Sequence, residues 1–273
     1  MNPSGLLSMF SSPRFDEAAE LLAKAANSYK IAKKWDKAGE TYCKAADAHQ
    51  KARYGHEAAT CYINASHVFK KTNIKKAQEC LLRGITFYTE EGRFSMAAKY
   101  QKEVAEMCEG DDDIAGAMDA FQTAAEYYEG EGSVASANQC NLKVAHYAAL
   151  NEDYERAIEI YDQVAESALD NKLLSYGVKE YFLKATICHL ATGDAVVAKR
   201  ALEKYQDMDY KFSSTRECTF LTALTEAFEN FDIEAFTNAI VEFDSIQKLD
   251  NWKTTMLLRV KNTIKDEDPS ICQ

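Results

Sequence analysis

The sequence predicts an all-α protein made of repeated helices, and three observations carry that expectation. First, the 273 residues contain three prolines, Pro3, Pro13 and Pro269, all near the ends, where average usage would give about 14. The stretch from Arg14 to Asp268 has none, so no helix within it loses a backbone donor or is kinked by a pyrrolidine ring. Second, the long middle lacks the clusters of Gly, Pro, Asn and Asp that a sandwich or barrel needs at its many turns. Third, an interval of about twenty residues recurs through the first 157 positions. With 47% hydrophobic residues the chain has ample core material, which sets aside the disordered, collagen-like and disulfide-scaffold classes.

Aligned on one alanine, the segments FDEA, WDKA, GHEA, IKKA, FSMA, IAGA, VASA and YERA define the repeat. Their anchors are Ala18, Ala38, Ala58, Ala77, Ala97, Ala117, Ala137 and Ala157, spaced 20, 20, 19, 20, 20, 20 and 20. A large apolar residue stands three positions before each anchor except at Gly55, where Tyr54 is one place earlier. Seven positions after the anchors come Ala25, Ala45, Ala65, Gly84, Val104, Ala124, Val144 and Val164. Offsets of three and seven share one face of a 3.6-residue helix, and small side chains there let neighbouring helices approach closely. Tyr29, His49, Phe69 and Tyr88 close the stripe one turn further on. Each unit reads as an amphipathic helix of about 15 residues followed by a short turn. Paired units make hairpins of about forty residues, a tetratricopeptide-like α-solenoid with a concave surface for a partner.

After Glu166 the pattern loosens, but helices are still expected over 178–190, 195–206 and 217–229. Two or three more between Asp232 and Ile264, including segments 233–246 and 252–264, read as a packed C-terminal helical bundle that caps the solenoid. The domain plan is therefore an apolar N-terminal segment at 1–13, a solenoid at 14–230, a cap at 231–264 and an acidic tail at 265–273.

The net charge of −11 hides a gradient: residues 1–100 sum to +6 and residues 101–273 to −17. An acidic total with no dense basic segment argues against nucleic acid, whose phosphates supply most of the affinity. The eight cysteines include no CxxC pair, so zinc-site spacing is absent; they read as small core hydrophobes in a reducing cytosol. No phosphate loop, nucleophile elbow or HExxH appears, and neither catalysis nor a cofactor or metal is expected. His49 occupies a repeat core position. Asp111, Asp112 and Asp113 precede the Ile114 helix, where carboxylates favour a helix N-terminus.

The strings KKWDKAGETYCKAADAH, HEAATCYINASHVFKK, GRFSMAAKY, LKVAHYAAL, YERAIEIYDQVAESALD, SSTREC and WKTTMLLRVKNTI run nearly without gaps from about Phe15 to Ile264. In these the chain resembles the soluble NSF-attachment proteins of the alpha/beta type, adaptors that recruit the ATPase called N-ethylmaleimide-sensitive factor to SNARE complexes. The resemblance implies a basic face that grips the acidic four-helix SNARE bundle (syntaxin-like), carried here by Lys33, Arg93, Lys99, Lys143, Lys179 and Arg216. Lys99 and Lys143 follow the anchors Ala97 and Ala137 and are expected to point the same way. Where the family pattern has a further lysine, this chain has Gln139, which shifts the burden onto Lys99 and Lys143. The resemblance also implies membrane contact by Leu6, Leu7, Met9 and Phe10, and docking of the ATPase by Asp194, Glu226 and Glu229. The family's leucine-bearing acidic tail is matched here by Asp266, Glu267, Asp268 and, as nearest hydrophobe, Ile271.

These implications describe a non-enzymatic cytoplasmic adaptor, peripheral on membranes, monomeric in solution, with several copies on each SNARE complex. The competing expectation is a tetratricopeptide-type scaffold that captures linear peptide tails of other proteins.

Overall fold

The computed structural model of the protein describes residues 14–171 and 174–267, with side chains described to 264. Among these residues there are thirteen α-helices and no strand. They fall into two compact units, Met1–Ala137 and Asn138–Gln273.

The first unit holds α1 (Phe15–Ile31), α2 (Trp35–Lys51), α3 (Gly55–Phe69), α4 (Ile74–Glu90), α5 (Phe94–Gly110) and α6 (Ile114–Gly130). Every helix begins on the residue three before its anchor alanine, so the repeat phase sets the helix starts. The helices run 15 to 17 residues, slightly longer than the pattern suggested. Most turns are three residues long and end their helix in a Schellman motif. After α1, Lys33 N–H bonds the Lys30 carbonyl and Lys34 N–H the Tyr29 carbonyl. The residue at the left-handed position is Lys33 (φ 54°), Arg53 (φ 62°), Gly92 (φ 69°) or Asp112 (φ 58°) in turn. The α3–α4 turn has no such residue; it spans four residues and uses Asn73 as an N-cap for Lys76 N–H at 3.0 Å. That turn coincides with the single spacing of 19.

Small residues do what the pattern requires. A Cβ on Gly39 would lie 2.6 Å from the Phe69 ring, and one on Gly84 would lie 2.8 Å from Ile63 Cδ1. Anchors Ala38, Ala58, Ala77, Ala97 and Ala117 are fully buried, as are Ala59, Ala98 and Ala125, each one position beyond a repeat residue. Sequential helices pack directly, and alternate helices touch through side chains, which gives two layers within this unit. Asp47 and Arg83 join α2 to α4 at 3.1 Å, and His67 and Glu103 join α3 to α5 at 3.5 Å.

The first copy departs from the expectation. Ala18 and Ala25 are exposed, while Ala19 and Ala26 are buried. Within this unit α1 packs on α2, so it buries only the row one position after the anchors. Leu21 is correspondingly 66% exposed.

The second unit holds α7 (Val134–Leu150), whose first turn straddles the boundary, and α8 (Tyr154–Leu169). A 3-10 turn (Ser175–Gly177), α9 (Val178–Ala191), α10 (Ala195–Met208) and a second 3-10 turn (Phe212–Ser214) follow. The unit is completed by α11 (Arg216–Glu229), α12 (Ile233–Ile246) and α13 (Asn251–Glu267). α9 is the core helix: Val178, Phe182, Leu183, Ile187, Cys188 and Leu190 are fully buried, and it packs on α8, α10, α11 and α13. A helix apolar on most sides belongs inside.

α13 ties this unit together by specific polar bonds. The Trp252 indole N–H donates to the His146 carbonyl at 3.2 Å. The Arg259 guanidinium donates to the Ala149 and Leu150 carbonyls at 3.1 and 2.8 Å, satisfying the end of α7. Lys253, 6% exposed, meets Glu180 at 2.6 Å and Asp250 at 3.1 Å. Burial alone would pull the Lys253 ammonium down, but the two carboxylates outweigh it and hold its pKa above the ordinary lysine value.

Candidate functional site

In the first unit the three sequence-predicted cations are exposed. Lys33 occupies the left-handed turn position between α1 and α2, where a glycine would be the relaxed choice. Arg93 stands just before α5; its Nη1 donates to His56 Nδ1 at 2.7 Å, and its guanidinium lies 5.9 Å from the Tyr88 ring centre. Lys99, on α5, sits 5.4 Å from the Tyr100 ring centre. It also faces Glu103, whose carboxyl is held below its ordinary value by the His67 ring first, with Lys70 and Lys99 adding to it. Glu103 reaches His67 at 3.5 Å and Lys70 at 3.8 Å. The structure thus groups Lys99 with Lys70 and His67 around one carboxylate. Sequence reasoning did not single out Lys70, His67 or Glu103, because contacts 36 residues apart follow from stacking alternate helices and leave no local motif.

In the second unit Lys143 is exposed on α7. Lys179 is engaged: its ammonium is 2.8 Å from Glu217, whose side chain is 4% exposed. Arg216 is exposed at the first position of α11, whose N-cap Thr215 accepts from Cys218 N–H at 3.1 Å. A cation there gains nothing from the helix dipole, which favours anions at that end. Lys179 lines a cleft with Tyr176, Tyr210 and Lys211. The tyrosines are 84% and 80% exposed, and Lys179 and Lys211 lie 5.6 and 5.8 Å from their ring centres. Sequence reasoning missed Tyr176, Tyr210 and Lys211. The available signal was two tyrosines in segments between helices, where no helical face can bury them.

The acidic residues sit on the neighbouring helices α10 and α11 of the second unit. Asp194 is the N-cap of α10 and accepts from Val197 N–H at 2.9 Å. Glu229, at the end of the neighbouring α11, pairs with Lys199 at 2.9 Å, which raises the lysine pKa chiefly through that bond. Glu226 is exposed one turn before Glu229, and Asp232 caps α12 by accepting from Ala235 N–H at 2.8 Å. Lys261 on α13 donates to Thr237 on α12 at 2.8 Å, so the later turns of α13 run beside the first half of α12. Asp266 and Glu267 are in the final turn of α13, with side chains beyond those described. Leu6, Leu7, Met9 and Phe10, and likewise Asp268 and Ile271, lie outside the described residues.

The acidic run before α6 has a structural role, since Asp113 accepts from Gly116 N–H at 3.0 Å and caps the helix. His49 is buried, 8% exposed. Among the described residues no group of His, Cys, Asp and Glu is placed to hold a metal ion. No helix among them is long and apolar enough to cross a membrane.

The profile of the family described as soluble NSF attachment protein matches residues 1–265. The alpha-soluble NSF attachment protein of Dictyostelium discoideum is 54% identical over 260 residues, covering 95% of this chain and 89% of that protein. The human alpha-soluble NSF attachment protein is 44% identical over 261 residues, covering 95% and 88%. Among solved structures, a signal-transduction ATPase with a tetratricopeptide repeat sensor from Pyrococcus horikoshii aligns with a TM-score of 0.52. At 14% identity, covering 93% of this chain and 39% of that one, it supports the tetratricopeptide-like fold and nothing more. By its whole-length match and its close relatives, the chain belongs to the soluble NSF attachment protein family.

Proposed function

We propose that the chain is a non-enzymatic adaptor in vesicle trafficking. It grips the assembled SNARE four-helix bundle through basic side chains and presents acidic ones to the hexameric NSF-type ATPase, whose hydrolysis drives disassembly. The observation that carries this reading is the match of residues 1–265 to a family described by its attachment to NSF. The exposed Lys33, Arg93, Lys99, Lys143 and Arg216 suit an acidic helical rod, and Tyr176 and Lys211 extend the basic contact around Lys179. Asp194, Glu226 and Glu229 suit a basic docking partner, and complementary charge there gives fast, salt-sensitive recruitment. Monomers assemble as several copies on one bundle. Leu6, Leu7, Met9 and Phe10 add a lipid contact of a few kcal/mol, enough to raise local concentration at a membrane surface without anchoring. Asp266, Glu267, Asp268 and Ile271 form the tail offered to the ATPase.

The test is a pull-down of assembled SNARE bundle by Lys99→Glu combined with Lys143→Glu. Binding is lost while the circular dichroism of the chain is unchanged; undiminished binding at moderate salt overturns the basic-surface assignment. Capture of an isolated linear peptide in place of the bundle favours a peptide-binding scaffold instead. In the acidic arm Asp194 is changed to Asn, which keeps the α10 cap, together with Glu226→Gln and Glu229→Gln. ATPase recruitment falls in that variant with bundle binding intact.

A further inference from the structure

Seven cysteines lie among the described residues with free thiols, and two of them face each other. Cys43 on α2 and Cys80 on α4 have their sulfurs 3.4 Å apart. Cys43 is half-buried and Cys80 is 6% exposed behind it. Both line an open cleft whose other walls carry Lys44, Lys76 and Arg83 alongside Glu40, Asp47 and Glu79. A small oxidant can therefore reach the outer sulfur through the open cleft, with the second sulfur in reach of the first.

We propose that Cys43 and Cys80 are a peroxide-reactive thiol pair that closes to a disulfide joining α2 to α4. Cys43 is the attacking sulfur. The hydrogen bond shared with Cys80 first, and then the positive charge of Arg83, lower its pKa against the opposing pull of burial and of the Asp47 and Glu40 carboxylates, while the same bond, reinforced by burial, raises that of Cys80. Cys61, on the helix between them, is pushed up to about 11 by burial first and by Glu57 and Cys43 next, and stays a core thiol. Reactivity follows thiolate character and access.

In the first step the Cys43 thiolate attacks one oxygen of hydrogen peroxide. The O–O bond breaks, the other oxygen leaves as hydroxide and takes a proton to become water, and Cys43 becomes a sulfenic acid. In the second step Cys80 gives up its proton and its sulfur attacks the Cys43 sulfur; the S–O bond breaks and the hydroxide leaves with that proton as a second water. Two electrons pass from the thiol pair to the peroxide. The sulfurs close from 3.4 Å to the disulfide length of about 2.05 Å. A dithiol reductant reverses the closure.

The test treats the full chain with hydrogen peroxide, blocks remaining thiols with iodoacetamide and maps unreduced peptides by mass spectrometry. The expected result is one dominant new linkage, Cys43 to Cys80, lost on adding dithiothreitol. Alkylation of both residues at the untreated level, or a dominant linkage to Cys61, overturns the proposal. In a Cys80→Ser variant dimedone traps the sulfenic acid on Cys43, and in Cys43→Ser it labels nothing on Cys80; a label on Cys80 alone reverses the order of attack. If either variant fails to fold, the peptide map of the unaltered chain decides.

Discussion

The two units use the same kind of helix but hold it in place differently. In the first, alanine and glycine columns bring neighbours together, and the polar ties between alternate helices are half-exposed pairs such as Arg83 with Asp47. Such pairs contribute little individually, so stability there is spread over many small contacts. In the second, stability is concentrated. α13 alone supplies a buried indole, a buried ammonium between two carboxylates and a guanidinium on two orphan carbonyls. A repeated architecture tolerates local loss, whereas one closed by a single helix depends on it.

The largest expected effect breaks the second unit. Trp252, 4% exposed, replaced by Ala loses its packing on Tyr161 and its bond to His146, at about 3–5 kcal/mol. Hydrogen exchange should then rise across 138–264, with 14–137 unchanged; equal loss of protection in both units would contradict the contrast. A smaller effect probes the first unit. The folded pKa of Glu103 is depressed below its ordinary value of 4.5. Its contribution is therefore fully present above that value and is lost as pH falls through the lower folded one. Glu103→Gln should flatten the pH dependence of urea unfolding of residues 14–137 in that acidic window; an unchanged slope would mean that the pair with His67 adds nothing to stability. The smallest is a gain. Lys33→Gly relieves the left-handed backbone at φ 54° and should stabilise by about 0.5–1 kcal/mol. Under the proposed function it also weakens SNARE binding, while Arg53→Gly, at the equivalent turn, stabilises without weakening it. Thermal melts and pull-downs of the two variants check this.

The repeat made the first unit legible: the anchor alanines carry the helix starts, and Asp113 was recognisable as a cap from its place before Ile114. In the second unit helices over 233–246 and 252–264 were readable from their apolar period, and α12 begins and ends where that period does. Partners across distance were not readable. Nothing local says that Lys179 pairs with a buried Glu217, that Arg93 meets His56, or that Cys43 faces Cys80, because each pairing follows from the stacking of helices 37 or 38 residues apart. The exposure of Ala18 was hidden for a related reason. A period describes an internal helix packed along both flanks, and among the described residues α1 packs chiefly on α2.

The bond from Arg259 to Leu150 has a consequence in time. The two residues are 109 apart, and ribosomes add roughly 5–20 residues per second. The last carbonyls of α7 therefore wait on the order of 5–20 s for their donor, whereas the Asp47 and Arg83 tie, 36 residues apart, is complete within roughly 2–7 s of the first partner's synthesis. During translation the first unit closes helix by helix as it emerges, and in the second the side of α9 that α13 covers stays open until that final helix arrives. Slowed synthesis within the intervening helices should therefore lengthen the exposure of the α9 core to chaperones, with no matching effect on the unit made first.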